Sequence, residues 1–74
     1  MILTINTGSS TIKYQLFSHD LERVLARGIV SRIGEEGSYI VHAARGKEVR
    51  HVIPVRSHRE AFELAIQYLL HPVY

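Results

Sequence analysis

Residues 2–17, with the sequence ILTINTGSSTIKYQLF, predict a β-hairpin, and the remaining elements of the chain are expected to be organised around it. The apolar run Ile2–Ile5 contains β-branched residues and is typical of a buried strand. Residues 6–10 are turn formers, and a second strand with alternating side chains follows. One face of that strand would carry Ile12, Tyr14 and Leu16, and the other face Lys13, Gln15 and Phe17.

The tip of this predicted hairpin has groups that can hold a phosphate. Backbone N–H groups, three consecutive hydroxyl side chains (residues 9–11) and the ammonium group of Lys13 lie close together in sequence. Turn chemistry alone favours an ordinary turn, because most Gly/Ser-rich hairpins bind only water. The stretch is not a Walker-type loop, since Gly-x-x-x-x-Gly-Lys-Ser/Thr is absent and a strand, not a helix, follows.

Length and composition exclude several classes of protein. The 74 residues make one small domain at most, and the absence of cysteine excludes disulfides and thiolate metal sites. No apolar run reaches the roughly 18 residues of a membrane span, and no signal peptide is visible, so a cytoplasmic protein is expected. The sequence has nine Lys and Arg residues and seven Asp and Glu residues, and its basic residues form no cluster. This distribution argues against nucleic-acid binding.

Three further strands and a helix are predicted downstream. The third strand covers about residues 23–32, and Gly28 within it indicates a bulge or a close backbone approach. Residues 39–44 and 49–53 form a hairpin; a type II′ turn at Gly46–Lys47 would set His42 opposite His51. Without a third ligand, these two histidines are expected to be solvated and to bind no metal.

A capping box of Ser57 and Glu60 predicts that the helix covers about residues 58–70. Its core-facing stripe is Ala61, Leu64, Ala65, Tyr68 and Leu69. Phe62, Ile66 and Leu70 widen the apolar surface beyond what a surface helix needs. The helix is therefore expected to be covered on two sides, or to lack part of its partner.

Three blocks of the sequence resemble the acetate kinase family. Residues 5–17, INTGSSTIKYQLF, resemble the family's opening block Asn-x-Gly-Ser-Ser-Ser-x-Lys, with Thr11 in place of the last serine. Residues 24–34 resemble a strand that ends in Arg-Ile-Gly, and Ser57–Ala61 resembles the family's Asp-His-x-x-Ala helix start, with Ser57 in place of aspartate. The resemblance extends over nearly the whole chain, although only the first block is a specific motif.

The resemblance implies a fold and a place in a longer enzyme. Residues 1–74 would be the N-terminal part of the first acetate kinase-like domain. They would form an α+β fragment of an α/β ribonuclease H-like (actin-like ATPase) domain, with an antiparallel β-meander, a hairpin and one C-terminal helix. The family forms homodimers, largely through later residues, and the remainder of the chain would cover the helix.

The resemblance also implies a function. Such enzymes convert ATP and acetate to ADP and acetyl phosphate with Mg²⁺, and the first hairpin holds the nucleotide phosphates. The nucleotide-binding residues would be Gly8, Ser9, Ser10, Thr11 and Lys13, and Asn6 would be on the metal side. No catalytic residue would lie in this segment, so the isolated chain should be inactive. Two alternatives stay open: a propionate or butyrate kinase, and a small non-catalytic binding or assembly module.

Overall fold

Five strands follow one another along the chain, and each pairs antiparallel with the next. The computed structural model describes residues 1–71. The elements are β1 (Ile2–Thr7), β2 (Thr11–Phe17), β3 (Val24–Ser31), β4 (Tyr39–Ala44), β5 (Lys47–Val52) and helix α1 (His58–Leu70). Because β3 also pairs with β4, the predicted meander and the predicted hairpin are one continuous sheet.

The core lies between α1 and one face of the sheet, which we call the inner face. Ile12, Val30 and Ile40 are neighbours across β2, β3 and β4, and none is more than 2% exposed. The helix covers them with Ala61, Ala65 and Tyr68. Of the residues predicted to share one face of β2, Ile12 and Tyr14 are buried on the inner face and Leu16 is half-buried.

Strand β1 is at the edge of the sheet, and the prediction that its apolar run is buried is wrong for the chain described here. All six residues of β1 are exposed, with Ile2, Leu3 and Ile5 between 36% and 41% accessible. The reason is topological: β1 pairs only with β2, and α1 packs across β2 and β3. An uncharged edge strand of this kind is a ready template for a further strand.

The hairpin between β4 and β5 turns one residue earlier than the sequence indicated. Arg45 and Gly46 both have positive φ, 55° and 73°, so the turn is of type I′ and Ala44 pairs with Lys47. His42 therefore faces Val49, and the predicted pairing of His42 with His51 is wrong. The two registers differ by two residues, so both put the same side chains inward and alternation cannot distinguish them.

The predicted start of α1 is confirmed by its hydrogen bonds. The hydroxyl of Ser57 accepts from the Glu60 N–H at 3.2 Å, and the Glu60 carboxylate accepts from the Arg56 N–H at 3.1 Å. This reciprocal arrangement satisfies two donors at the helix start.

The helix also keeps apolar surface that residues 1–71 do not cover. Phe62 is 42% exposed and Leu70 is 78% exposed. Of the two expectations for this wide apolar face, coverage on two sides is not met within the described part of the chain. In the same residues, no helix has the length and apolarity that a membrane span requires.

Candidate functional site

The tip of the β1–β2 hairpin is a tight turn that depends on a glycine. The Gly8 N–H donates to the Thr11 carbonyl at 2.8 Å. A Cβ on Gly8 would lie 2.7 Å from the Thr11 hydroxyl oxygen, closer than unbonded atoms normally approach. Only glycine therefore lets the Thr11 hydroxyl rest against the turn.

Both carbonyl groups that flank the tip are turned back toward the protein. The Gly8 carbonyl accepts from Nε2 of His58 at 2.8 Å, and the Ser10 carbonyl accepts from the Ile33 N–H at 3.0 Å. The N–H groups of Ser9 and Ser10 donate to no acceptor within residues 1–71. Because the Gly8–Ser9 peptide is trans, the Ser9 N–H points away from the oxygen that His58 holds, and it is available to an anion.

Two further predicted residues, Asn6 and Lys13, lie directly opposite each other in the β1–β2 ladder. Both are exposed on the face of the sheet away from α1, which we call the outer face. They line one end of an open trough of about 610 Å³, together with Gln15, Arg27 and Glu48. Thr11 lies two residues before Lys13 on the same face of β2, so the strand brings the ammonium group to the hydroxyl side of the tip.

A second cluster of polar side chains is buried between the sheet and the helix. Tyr14, Gly28 and His42 are neighbours across β2, β3 and β4, and the hydroxyl of Tyr14 lies 2.5 Å from Nδ1 of His42. A Cβ on Gly28 would overlap the Tyr14 ring and hydroxyl, so the predicted close approach at Gly28 is confirmed. The irregularity in the β2–β3 ladder lies elsewhere, at Leu16/Phe17.

The helix joins this cluster through Tyr68. Its ring makes an edge contact with His42, and its hydroxyl lies 2.5 Å from Nδ1 of His51. His42 is 1% exposed, and its Nε2 has no hydrogen-bond partner within the described residues. The expectation of two solvated histidines is therefore wrong, because His42 is hydrogen-bonded to Tyr14 and His51 is hydrogen-bonded to Tyr68.

Hydrogen bonding assigns the tautomer of His42. If the Tyr14 hydroxyl donates to Nδ1, only the Nε2–H is left without an acceptor. The other tautomer would leave both the tyrosine proton and Nε2 unsatisfied. Burial lowers the pKa of His42 below its ordinary value of 6.5. Burial, and secondly the nearby Tyr68, raises the pKa of Tyr14 above 10.0.

We expect the free energy of unfolding to fall as the pH drops below 6.5. The unfolded chain protonates His42 near 6.5, whereas the folded chain keeps it neutral between Tyr14 and Tyr68. This contribution is complete above 6.5 and is lost as the pH falls through the lower pKa of the folded state. Urea unfolding at pH values on both sides of 6.5 measures it. The variant His42→Gln should have a flatter profile; an unchanged slope would contradict the assignment.

Sequence reasoning missed His58 at the tip and the tyrosine–histidine cluster in the core. The signals for the cluster were the alternation that put Tyr14 on one face of β2 and the close approach predicted at Gly28. No local pattern connects His58 with Gly8, since 50 residues separate them. The remaining predicted residues are brought together at the tip and along the first two residue pairs behind it.

Comparison with known proteins identifies the family. The sequence model of the acetokinase family matches residues 1–73. The chain belongs to this family. It is 41% identical over 73 residues to the acetate kinase of Clostridioides difficile (strain 630), covering 96% of this chain and 18% of that protein. It is 45% identical over 75 residues to the acetate kinase of Moorella thermoacetica, and the match covers 99% of this chain and 19% of that protein.

Solved structures of an acetate kinase and of a propionate kinase have the same fold. The Porphyromonas gingivalis acetate kinase superposes with a TM-score of 0.90 at 32% identity, over 97% of this chain and 18% of that one. A propionate kinase from Francisella tularensis superposes with a TM-score of 0.81 at 24% identity, over 92% of this chain and 17% of that one. At this identity the likeness supports the fold alone. The five strands and the helix are thus a fragment of the actin-like ATPase fold. The chain spans less than one fifth of the length of these relatives.

Proposed function

We propose that residues 1–74 form the N-terminal part of the first domain of an acetate kinase and supply its nucleotide-phosphate hairpin. The reaction is the transfer of a phosphoryl group from ATP to acetate, giving ADP and acetyl phosphate. One observation carries this proposal: in the family's opening block the Gly8 and Ser10 carbonyls are bonded back to the protein, while the Ser9 and Ser10 N–H groups have no acceptor within residues 1–71.

Phosphoryl transfer asks little covalent chemistry of a protein. It requires the donor and the acceptor to be held in line, and the charge on the transferring oxygens to be neutralised. In this proposal the backbone of Gly8, Ser9 and Ser10 forms the cradle, and the hydroxyls of Ser9 and Thr11 approach the phosphates. The exposed ammonium group of Lys13 supplies a compact positive charge.

The chain offers Mg²⁺ one candidate ligand near the hairpin, the amide oxygen of Asn6. Within residues 1–71 there is no cluster of three or more His, Cys, Asp or Glu that could hold a metal. Magnesium bound to nucleotides keeps several waters and takes only one or two protein oxygens, so a single amide fits its donor set. A bound ion would neutralise phosphate charge, and Asn6, which lies opposite Lys13 in the β1–β2 ladder, would hold it through its amide oxygen.

The isolated chain is proposed to be inactive, with the acetate-binding and other catalytic groups supplied by residues beyond it. The matched relatives are more than five times as long, since the shared segment covers 17% to 19% of them. Dimer formation and coverage of the exposed helix face by further residues belong to the same proposal.

A chimera tests the function. In it, this chain replaces the matched N-terminal segment of the Porphyromonas gingivalis acetate kinase. We expect the chimera to form acetyl phosphate from ATP and acetate, and the 74-residue chain alone to form none. An inactive but folded chimera would contradict the proposal, and an active isolated chain would contradict its second part. Because an acetate kinase supplies the rest of the chimera, a propionate or butyrate kinase is tested separately, by assaying the natural protein with all three acids.

A second candidate, a small assembly module, is favoured by the exposed apolar side chains of Phe62 and Leu70. It predicts that the chain binds a partner through the helix and that the chimera is inactive. The same experiment therefore separates the two functions.

A further inference from the structure

One contact joins the hairpin tip to an element 50 residues away. Nε2 of His58, the first residue of α1, lies 2.8 Å from the carbonyl oxygen of Gly8. Since a carbonyl oxygen only accepts, the imidazole must carry a proton on Nε2 and donate it. His58 is only partly exposed, whereas its partner Gly8 is exposed.

His58 is held by a rigid support. Ser57 caps the helix at its start, and Ala61, one turn further on, is fully buried. The segment leading into α1 is fixed by Ser38, whose hydroxyl donates to the Ile53 carbonyl at 2.7 Å and accepts from the Val55 N–H at 2.9 Å. The imidazole of His58 therefore extends to the hairpin tip from a helix start that is itself held in place.

The bond determines the direction of one peptide group. With its oxygen on His58, the trans Gly8–Ser9 peptide directs the Ser9 N–H to the opposite side, away from the imidazole. If that peptide rotated, a carbonyl oxygen would enter the space where an anion is held and would repel it. Glycine has the backbone freedom to rotate in this way, so an external restraint on Gly8 matters.

We propose that His58 is a positioning residue for the phosphate hairpin. It fixes the Gly8 peptide so that the tip stays in its anion-binding conformation before the nucleotide arrives. This inference rests on the proposed function for its consequence, phosphate binding, but the restraint on the tip can be measured independently. His58 itself need not touch the phosphates.

The test uses the 74-residue chain labelled with ¹⁵N and two readouts. Amide exchange of the Gly8 N–H, which donates to Thr11, reports the order of the tip. Chemical-shift titration with inorganic tripolyphosphate, followed at Ser9 and Ser10, reports anion binding. We compare His58→Leu, which cannot donate, with His58→Gln, whose amide nitrogen can replace Nε2. The control is His19→Leu, an exposed histidine in the turn at the opposite end of β2.

We expect His58→Leu to accelerate Gly8 exchange and to weaken tripolyphosphate binding by about five- to tenfold, the effect of one lost hydrogen bond. His58→Gln should stay within about twofold of the parent chain, and His19→Leu should match it. Equal exchange in the parent chain and His58→Leu would overturn the proposal, as would equal losses in the leucine and glutamine variants.

Failure of the proposed function gives a different pattern. If the parent chain does not bind tripolyphosphate, phosphate binding by this hairpin is contradicted, and Gly8 exchange alone decides whether His58 restrains the tip. If His58→Leu does not fold, His58→Asn replaces it, because its shorter amide cannot reach the Gly8 oxygen. Slow exchange in the glutamine variant with fast exchange in the asparagine variant would support the restraint, and equal exchange would overturn it.

Discussion

Substitution of Gly28 by alanine is expected to remove about 2–6 kcal/mol from the free energy of unfolding, although it adds only one methyl group. The new Cβ would overlap the ring and hydroxyl of Tyr14, which crosses Gly28 to reach His42. Displacing that ring costs about 1–3 kcal/mol in overpacking. Separating Tyr14 from His42 leaves buried polar groups unpaired, at about 1–3 kcal/mol more. A chain of this size has only about 4–11 kcal/mol of stability.

The sign of the effect makes Gly28→Ala a decisive test. Replacing a strand glycine whose surroundings are open normally stabilises a protein by about 0.5–1 kcal/mol, because the unfolded chain loses freedom. Urea unfolding of the variant measures the loss. In a Tyr14→Leu background the same substitution should cost far less, since the obstructing ring is gone. Equal costs in both backgrounds would show that Tyr14 is not the obstacle.

A second glycine provides the matched control. Gly46 lies in the β4–β5 turn at a φ of 73°, and a Cβ there would meet no atom within 4 Å. Gly46→Ala should therefore cost only about 1–2 kcal/mol, from the left-handed backbone alone. A larger loss at Gly28 than at Gly46 separates steric overlap from backbone strain.

Loss of the Lys13 ammonium group is expected to reduce acetyl phosphate formation by the chimera about 100-fold. Lys13 lies opposite Asn6 and on the same strand face as Thr11, where its charge can stabilise the transferring phosphate oxygens. The expected loss for Lys13→Gln is in kcat/KM for ATP, with little change in the KM for acetate. Steady-state kinetics measure both quantities.

The control for Lys13 is Lys47→Gln, which removes an exposed lysine at the start of β5 and should leave the kinetics unchanged. Lys13→Arg keeps the positive charge but not the compact ammonium group, so an intermediate rate is expected. If Lys13→Gln and Lys47→Gln behave alike, Lys13 is an ordinary exposed strand lysine and has no part in phosphate binding.

Local pattern predicted much of this fold because each signal acts over a few residues. Alternation located β2 and β3 and put Ile12 and Tyr14 on the same face of β2. The capping pair Ser57 and Glu60 located the start of α1. The turn formers after β1 located the hairpin tip, and the residues of the opening block identified it as a candidate phosphate site.

Long-range packing decided what local pattern left undetermined. The β4–β5 register could not be read, because a shift of two residues keeps the same faces inward. The exposure of β1 depends on which neighbours a strand has, and β-branched composition does not specify them.

The sequence by itself thus determined the order and kind of the elements, the tip chemistry and the family resemblance. Only the tertiary structure brought His58 to Gly8 and joined Tyr14, His42 and Tyr68 in the core. Those contacts join residues between 26 and 50 positions apart in the sequence. The physical reason is that hydrogen bonds and ring contacts depend on distance in space, which the folded sheet and helix set and local sequence does not.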